Sequence, residues 1–428
     1  MKINRGAFCF LAGAIFVSFT LQAQPGPSSA QPNIVPGAER LNQYLPLLKG
    51  KKTGIFANHT SRVGNSHLVD TLLKLGVDIQ LIFAPEHGFR GEADAGEKVG
   101  NSLDPKTGIG IISLYGAKRR PTKEELQKVD VLVFDIQDVG LRYYTYISSL
   151  EEMMNAAFEN GKPLLLLDRP NPNGFYIDGP VLEIPFKSFV GMQPVPVVYG
   201  MTIGEYGLML AGENRLSAKS NAYSQYMKGA RPSADTPFHF MVIKCEGYTH
   251  KSYYKLPVAP SPNLPDMQSV FLYSSTCFFE GTDISLGRGT NKPFQVYGHP
   301  TLPKNLYSFT PKSVPGAKNP PQLNKTCYGA DLSHENIDIE RPEWQQIQLK
   351  YLMDAYRQFP DKNAFFLKPS KENPGPQDYF FNKLAGNAQL MEQIKNGSSE
   401  DEIRESWKPG IRAFKIIRKK YLLYPDFE

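Results

Sequence analysis

The segment APEHGFRGEADAGEKVG, residues 84–100, concentrates reactive side chains directly after the apolar run IQLIF. Its glycines suggest a phosphate-binding loop, but that motif requires a lysine where this segment has Glu97. Several neighbouring carboxylates would also repel phosphate. A glycosidase acid is a better match, because apolar walls around Glu86, between Pro85 and His87, would favour its protonated form.

Cleavage of a glycosidic bond sets further requirements. It needs one protonated carboxyl group and a second charged group, or a substrate amide, near the anomeric carbon. Carboxylates about 5 Å apart indicate a covalent route, whereas an acetamido route needs an Asp or Asn to orient the amide. The sequence leaves both routes open, with Asp135 or Asp168 as orienter in the second. A simpler role for Glu86 is an ion pair with Arg90.

Other chemistries fit the sequence less well. Asp135, Asp138 and Asp168 could supply oxygen ligands to Mg²⁺ or Ca²⁺, but FDIQD is not an EF-hand loop and the histidines lack a zinc-binding spacing. The chain contains no G-x-S-x-G nucleophile motif, and GIGIIS stops short of a dinucleotide fingerprint. We therefore expect no catalytic metal and no cofactor.

Apolar strand segments alternate with helical segments through the first half of the chain. This pattern predicts βαβ units and a Rossmann-like, doubly wound, mostly parallel sheet over residues 38–233. The strand segments are KKTGIFANHT, IQLIFAPEHG, DVLVFDIQDVG and KPLLLLDRPNP, and the helical segments are HLVDTLLKLG, TKEELQKV and ISSLEEMMNAAFENG, with Gly161 as the C-cap of the last.

A polar cluster follows each of the four strand segments. Ligands of open parallel sheets bind beyond the carboxyl ends of the strands, so this recurrence predicts a polar cleft. Any one cluster could instead cap a turn or a helix. The clusters are Asn58, His59 and Thr60, then Glu86 to Gly91, then Asp135, Gln137 and Asp138, and finally Asp168, Arg169 and Asn171.

Residues 234–428 predict a smaller, mixed α+β domain that completes the cleft. FHFMVIKCEGY and SVFLYSSTCFF are strand-like, whereas EWQQIQLKYLMDAYRQF and NAQLMEQIKNG are helical. In the basic tail, the spacing of Phe414, Ile417 and Leu422 favours packing on this domain over a membrane.

The N-terminus has the pattern of a secretory signal. Lys2 and Arg5 precede an apolar stretch, which is followed by a small residue, Ala23, at a cleavage position. We therefore expect a signal peptide at residues 1–23, a flexible leader at 24–37, and a periplasmic or secreted protein without stable membrane insertion after signal removal.

Charge and cysteine content agree with a globular exported protein. The net charge of +6, or +4 without the signal, is too small to indicate a nucleic-acid partner. Cys245, Cys277 and Cys327 remain after cleavage, an odd number that allows at most one internal disulfide. We expect Cys245 and Cys277 to be inert, buried thiols. Oligomeric state is not predicted.

Seven segments, in order along the chain, carry a family resemblance: FAPEHGFRGEADAGEKVG, SLYGAKRRPT, DVLVFDIQDVGLRYYTYISSL, LLLLDRPNPNGFYIDGPVLE, SFVGMQPVPVVYGMTIGEYG, PSPNLPD and FEGTDISLGRGTNKPFQVYGHP. Together they resemble the bacterial exo-β-N-acetylmuramidase family, the NamZ-type enzymes. The resemblance implies a glycoside hydrolase that releases N-acetylmuramic acid (MurNAc) from the non-reducing ends of peptidoglycan glycans, in a cleft between a Rossmann-like domain and a smaller one.

By this resemblance Glu86 is the first candidate for the catalytic acid, and Glu92 is a weaker second. Arg288 in SLGRGT, or failing it Arg90, suits the lactyl carboxylate of MurNAc, because a guanidinium binds carboxylates bidentately. A wall-binding protein without turnover and a metal-dependent hydrolase are the alternatives. The further residues expected to line the sugar site are Asn58, His87, Asp135, Gln137, Asp138, Arg142, Tyr143, Asp168, Arg169 and Asn171.

Overall fold

The computed structural model describes Met1 and residues 33–86, 88–89, 100–229 and 238–428. Apart from Met1, the predicted signal peptide lies outside these residues, as do most of the leader and His87, Arg90 and Glu92. Ile34–Glu428 forms one compact unit. Within the described part of the chain, no helix combines the length and the apolar character that a membrane span requires.

The described residues contain the following elements. The strands are β1 (Thr53–Phe56), β2 (Arg62–Val63), β3 (Ser66–His67), β4 (Ile79–Ala84), β5 (Ser102–Leu103), β6 (Gly110–Ser113), β7 (Val131–Phe134), β8 (Leu164–Leu167), β9 (Phe240–Ile243), β10 (Val296–His299), β11 (Tyr307–Phe309) and β12 (Cys327–Asp331). The α-helices are α1 (Leu41–Leu48), α2 (Leu68–Lys74), α3 (Lys123–Leu126), α4 (Tyr146–Glu159), α5 (Ile203–Gly212), α6 (Ala218–Gly229), α7 (Met267–Thr276), α8 (Leu349–Gln358), α9 (Lys362–Phe365), α10 (Phe380–Ala385), α11 (Gln389–Lys395) and α12 (Glu400–Arg418).

The main sheet has seven strands in the order β5-β6-β4-β1-β7-β8-β9. Every neighbouring pair is parallel except β5 with β6, at the edge. All residues of β1, β7 and β8 are buried, as expected for strands covered on both faces. In β1, Ile55 packs into one core cluster and Phe56 into another. The predicted α/β fold is therefore confirmed.

The C-terminal part of the chain also contains both strands and helices. Strands β10, β12 and β11 form an antiparallel sheet, and helices α7 to α12 lie in the same part of the sequence. In α12, Phe414 is buried in the main core cluster and Ile417 packs against it. Phe414 and Ile417, two of the three residues of the predicted apolar stripe, therefore pack on the protein, as predicted.

The prediction for SVFLYSSTCFF was wrong. This segment forms helix α7 and the 3-10 helix Cys277–Gly281 instead of a strand. Asp266 and Ser269 form a capping box that starts the helix. Because α7 is buried on nearly every side, apolar, serine and threonine residues are all buried along it, and the helical periodicity that would have revealed it is missing.

The main sheet extends beyond its predicted strands. The segment GIGIIS, which was not predicted as a strand, contains β6, which pairs with β4. The segment FHFMVIKCEGY contains β9, which pairs with β8. The predicted domain boundary at 233/234 lies outside the described residues and stays a prediction. Helix α4 ends at Glu159, with Asn160 as C-cap and Gly161 following at a φ of 63°.

Candidate active site

Asp135 and Arg169 meet at the carboxyl edge of the sheet, directly after β7 and β8. The Arg169 guanidinium donates to both carboxylate oxygens, at 2.6 and 2.8 Å. Burial raises the pKa of Asp135, while Arg169 acts against that shift. Arg169 also donates to the carbonyl of Arg62 at 2.9 Å. The two side chains thus neutralise each other inside the protein.

Asp168, which directly follows β8 and precedes Arg169, connects the sheet to the C-terminal tail. Its carboxylate accepts hydrogen bonds from the Thr202 hydroxyl (2.7 Å), the Gly204 amide (2.8 Å) and the Tyr424 hydroxyl (2.6 Å). Burial raises the pKa of Asp168 to about 7. With these partners, this carboxylate serves the framework in the structure.

Asp138, Gln137 and Asn171 are engaged in a similar way. Asp138 accepts hydrogen bonds from the Gly140 amide at 2.7 Å and from the Tyr199 hydroxyl, and burial raises its pKa to about 6. Gln137 donates to its neighbour's carbonyl at 2.8 Å. Asn171 donates to a backbone carbonyl at 2.8 Å. All three residues are buried and thus enclosed by the protein.

Arg142 is completely buried. Its guanidinium donates to four backbone carbonyls at 2.6–2.8 Å, two before α5 and two in α10. Burial lowers its pKa to about 9. Because these bonds connect distant parts of the chain, we now interpret Arg142 as a framework residue and no longer expect it to contact substrate.

A cavity of about 350 Å³ lies beside these clusters. Of the predicted site residues, the structure brings Glu86, Tyr143 and Arg288 to its wall. Glu86 is half-buried, two residues after the end of β4. The cavity is lined by Glu86, Tyr115, Arg119, Tyr143, Tyr144, Thr145, Tyr146, Phe189, Val190, Ser261, Leu264, Tyr273, Glu280, Arg288, Phe294 and Phe380. Such a concave, aromatic wall with few charged groups is typical of a small-ligand site.

Hydrogen bonds fix the tyrosines of this wall. The Tyr143 hydroxyl donates to the carbonyl of Ser274 at 2.7 Å, and the Tyr144 hydroxyl donates to that of Pro260 at 2.8 Å. Asn58 donates to the Tyr146 hydroxyl at 2.9 Å. Asn58 is fully buried, so it positions a cavity residue instead of contacting a ligand itself.

Glu280 and Arg288 pair at the cavity wall, with Nη2 of Arg288 and Oε1 of Glu280 2.6 Å apart. The guanidinium carbon of Arg288 also lies 4.9 Å from the centre of the Phe294 ring. Burial lowers the pKa of Arg288, but Glu280 more than offsets this and raises it. We had predicted Arg288 but missed Glu280, which stands in the same quoted segment, FEGTDISLGRGT.

Arg119 is a second cavity residue that we missed. Its guanidinium carbon lies 3.8 Å from the centre of the Phe189 ring, and its Nε donates to the carbonyl of Gly116 at 3.1 Å. None of the described carboxylates pairs with it. It lies in the segment SLYGAKRRPT, where adjacent arginines gave no reason to single out one of them.

The alternative of a metal-dependent hydrolase finds no support in the described residues. No group of three or more His, Cys, Asp or Glu side chains there is arranged to hold a metal ion. Asp135, Asp138 and Asp168 are each bound to protein partners of their own.

Cys245, Cys277 and Cys327 are buried and unbridged, and burial raises the pKa of each thiol.

Comparison with known proteins gives matches along most of the chain. Residues 53–268 match a family model described as exo-β-N-acetylmuramidase NamZ, N-terminal, and residues 271–424 match its C-terminal counterpart. A peptidoglycan β-N-acetylmuramidase NamZ from Bacillus subtilis (strain 168) is 36% identical over 453 residues, covering 99% of this chain and all of that protein.

Two crystal structures of DUF1343 family proteins from Bacteroides fragilis NCTC 9343 have a similar fold. The first is 45% identical, covers 92% of this chain and 99% of its own, and superposes with a TM-score of 0.78. The second is 28% identical, with coverages of 91% and 99% and a TM-score of 0.73.

Proposed function

Because this chain belongs to the exo-β-N-acetylmuramidase NamZ family, we propose that it hydrolyses peptidoglycan glycans and releases MurNAc from their non-reducing ends. The match to the Bacillus subtilis muramidase over both full lengths supports a glycoside hydrolase acting on peptidoglycan. The alternative of a wall-binding protein without turnover is not favoured, since the matched relative is an enzyme.

The observation that carries the assignment of the site is the position of Glu86. Glu86 and Glu280 are the described carboxylates that line the aromatic cavity. Asp135, Asp138 and Asp168 do not line this cavity, and their carboxylates accept hydrogen bonds elsewhere in the protein. We therefore propose that the terminal sugar binds in this cavity and that Glu86 is the general acid.

In this proposal the protonated Glu86 donates its proton to the glycosidic oxygen. The bond between that oxygen and the anomeric carbon then breaks, and its electron pair leaves with the shortened glycan. A water molecule finally adds to the anomeric carbon, and its proton returns to the Glu86 carboxylate. This cycle restores the acid and applies to both the covalent and the acetamido-assisted route.

A guanidinium of the cavity wall would bind the lactyl carboxylate, since planar Arg matches the geometry of such a group. The sequence led us to propose Arg288 for this role. Arg288 already pairs with Glu280, whereas Arg119 has no carboxylate partner among the described residues. This difference makes Arg119 the stronger candidate. Arg90, our second choice, lies outside those residues.

We further propose that the protein is exported and works in the periplasm or outside the cell. The basic and apolar pattern of residues 1–23 supports export. A peptidoglycan substrate agrees with this location, because the polymer lies outside the cytoplasmic membrane.

Release of MurNAc from a MurNAc-GlcNAc disaccharide tests the proposed activity. We expect the purified protein to release free MurNAc with and without a chelator, because the proposed steps use only side chains of the protein, water and the substrate itself. A protein that binds the disaccharide without releasing MurNAc would be a wall-binding protein. Release that stops with chelator would instead implicate a metal.

A further inference from the structure

Two carboxylates from distant parts of the chain line one cavity. Glu86 belongs to the region that matches the N-terminal family model, and Glu280 to the region that matches the C-terminal one. Glycoside hydrolysis commonly needs two such groups, one that donates a proton and one that meets the positive charge at the anomeric carbon. The proposed function names Glu86 as the proton donor but names no residue that faces the positive charge at the anomeric carbon.

Local structure holds Glu280 at the cavity wall. It lies in the 3-10 helix Cys277–Gly281, directly after α7. A Cβ at Gly281 would come within 2.4 Å of the backbone of Phe381, so only glycine allows this helix to pack so closely on α10. The carboxylate therefore projects from a packed element.

Arg288 fixes the carboxylate itself. Its 2.6 Å ion pair with Glu280 leaves both side chains partly accessible, at 20% and 23% exposure. Gly287 and Gly289 flank it at φ values of 81° and 80°, and a Cβ at Gly287 would come within 2.6 Å of a backbone carbonyl. This tight turn and the Phe294 ring limit where the guanidinium can lie.

We propose that Glu280 is the second catalytic carboxylate, facing the positive charge that develops at the anomeric carbon, and that Arg288 is the positioning residue that orients it. The assignment rests on the proposed exo-muramidase activity. Asp135 and Asp168, which the sequence predicted as orienters of the substrate acetamido group, are completely buried and do not line the cavity.

A simpler role for Glu280 would be to neutralise Arg288, and the two roles differ in a measurable way. If Glu280 only neutralises, then Glu280→Gln exposes an unpaired cation, and the double variant Glu280→Gln/Arg288→Gln regains activity. If Glu280 is catalytic, the double variant stays as inactive as Glu280→Gln. A carboxylate in this role is worth about a hundredfold to ten-thousandfold in rate.

The split between kcat and KM gives a second readout. Loss of an interaction made only in the transition state lowers kcat and kcat/KM equally. We therefore expect Glu280→Gln to lower kcat and to leave KM nearly unchanged. A rise in KM with an unchanged kcat would overturn the assignment.

The experiment measures the kinetics of MurNAc release for wild type, Glu86→Gln, Glu280→Gln and the double variant Glu280→Gln/Arg288→Gln. Asp331→Asn is the matched control, because Asp331 forms a 2.6 Å pair with Lys292 outside the cavity and should keep wild-type kcat. Thermal unfolding curves identify any variant that fails to fold. If Glu280→Gln does not fold, Glu280→Asp replaces it. In Glu280→Asp the carboxylate is withdrawn by one methylene group, and we expect the same loss of kcat. An inactive wild type refutes the proposed activity. An active wild type with an active Glu280→Gln refutes only the role of Glu280.

Discussion

The carboxyl edge of the sheet and the cavity each contain a carboxylate paired with an arginine, but the two pairs differ in their exposure. At the edge, Asp135 and Arg169 form an ion pair whose side chains are 0% and 2% exposed. At the cavity wall, Glu280 and Arg288 form a pair of equal length whose side chains are 23% and 20% exposed. The first pair is enclosed by protein, whereas the second is open to a cavity. We therefore propose that the second pair belongs to the site and that the first supports the fold.

The two regions should therefore respond differently to substitution. Removing one partner of a buried pair leaves an uncompensated charge in a medium of low dielectric constant, which costs stability. Removing a cavity carboxylate leaves a group that water can reach, which costs little stability but removes chemistry. The following predictions test this contrast, in order of decreasing effect.

The largest effect is expected for Glu86→Gln. The amide cannot donate the proton that the leaving oxygen needs, so kcat for MurNAc-GlcNAc should fall by about a thousandfold. The free energy of unfolding should fall much less than for a fully buried carboxylate, because Glu86 is only half-buried at the cavity wall. Steady-state kinetics and urea unfolding measure the two quantities, and a fall in both would assign Glu86 to the framework.

Asp135→Asn should show the reverse. Burying the Arg169 guanidinium without its counter-charge should lower the free energy of unfolding by about 3–5 kcal/mol. Asp338→Asn, which removes an exposed partner of Arg341, should cost about 0–1 kcal/mol in the same urea titration. An equal, small effect of both substitutions would show that the buried pair does not stabilise the edge.

Asp138 adds a pH dependence of stability at the edge. Burial raises its pKa to about 6, so the folded protein holds this proton more tightly than the unfolded chain does. The stabilisation is complete below about pH 4 and is lost as the pH rises through about 6, a change of about 3 kcal/mol. Asp138→Asn lacks this titration, so its stability relative to wild type should rise between pH 4 and pH 8. A constant difference would contradict the shifted pKa.

The smallest effect concerns the two arginines of the cavity. Arg119→Ala should weaken MurNAc binding by about tenfold, because one charge-assisted contact at an accessible site is lost. Binding of GlcNAc should be unchanged, because GlcNAc lacks the lactyl group. Arg120→Ala is the control, because that neighbouring side chain pairs with Glu159 outside the cavity. Titration calorimetry measures both sugars, and a selectivity loss in Arg288→Ala instead would return the lactyl group to Arg288.

The sequence predicted the sheet well, because strands buried on both faces must be continuous apolar runs such as LLLL in β8. It also located the polar strand ends, but it could not tell that Asp135 and Asp168 would be enclosed by Arg169 and Tyr424 from later segments. Glu280 was missed for a related reason, since it shares a cavity with Glu86 only because segments nearly two hundred residues apart pack together.

A crystal structure of Glu86→Gln with bound MurNAc-GlcNAc is the most direct test of the central claim that the chemistry takes place in the cavity. We expect the MurNAc ring among the cavity tyrosines, with the glycosidic oxygen within hydrogen-bonding distance of the side chain at position 86. A disaccharide bound instead at the Asp135 and Asp168 edge, or with its glycosidic bond away from position 86, would contradict the account.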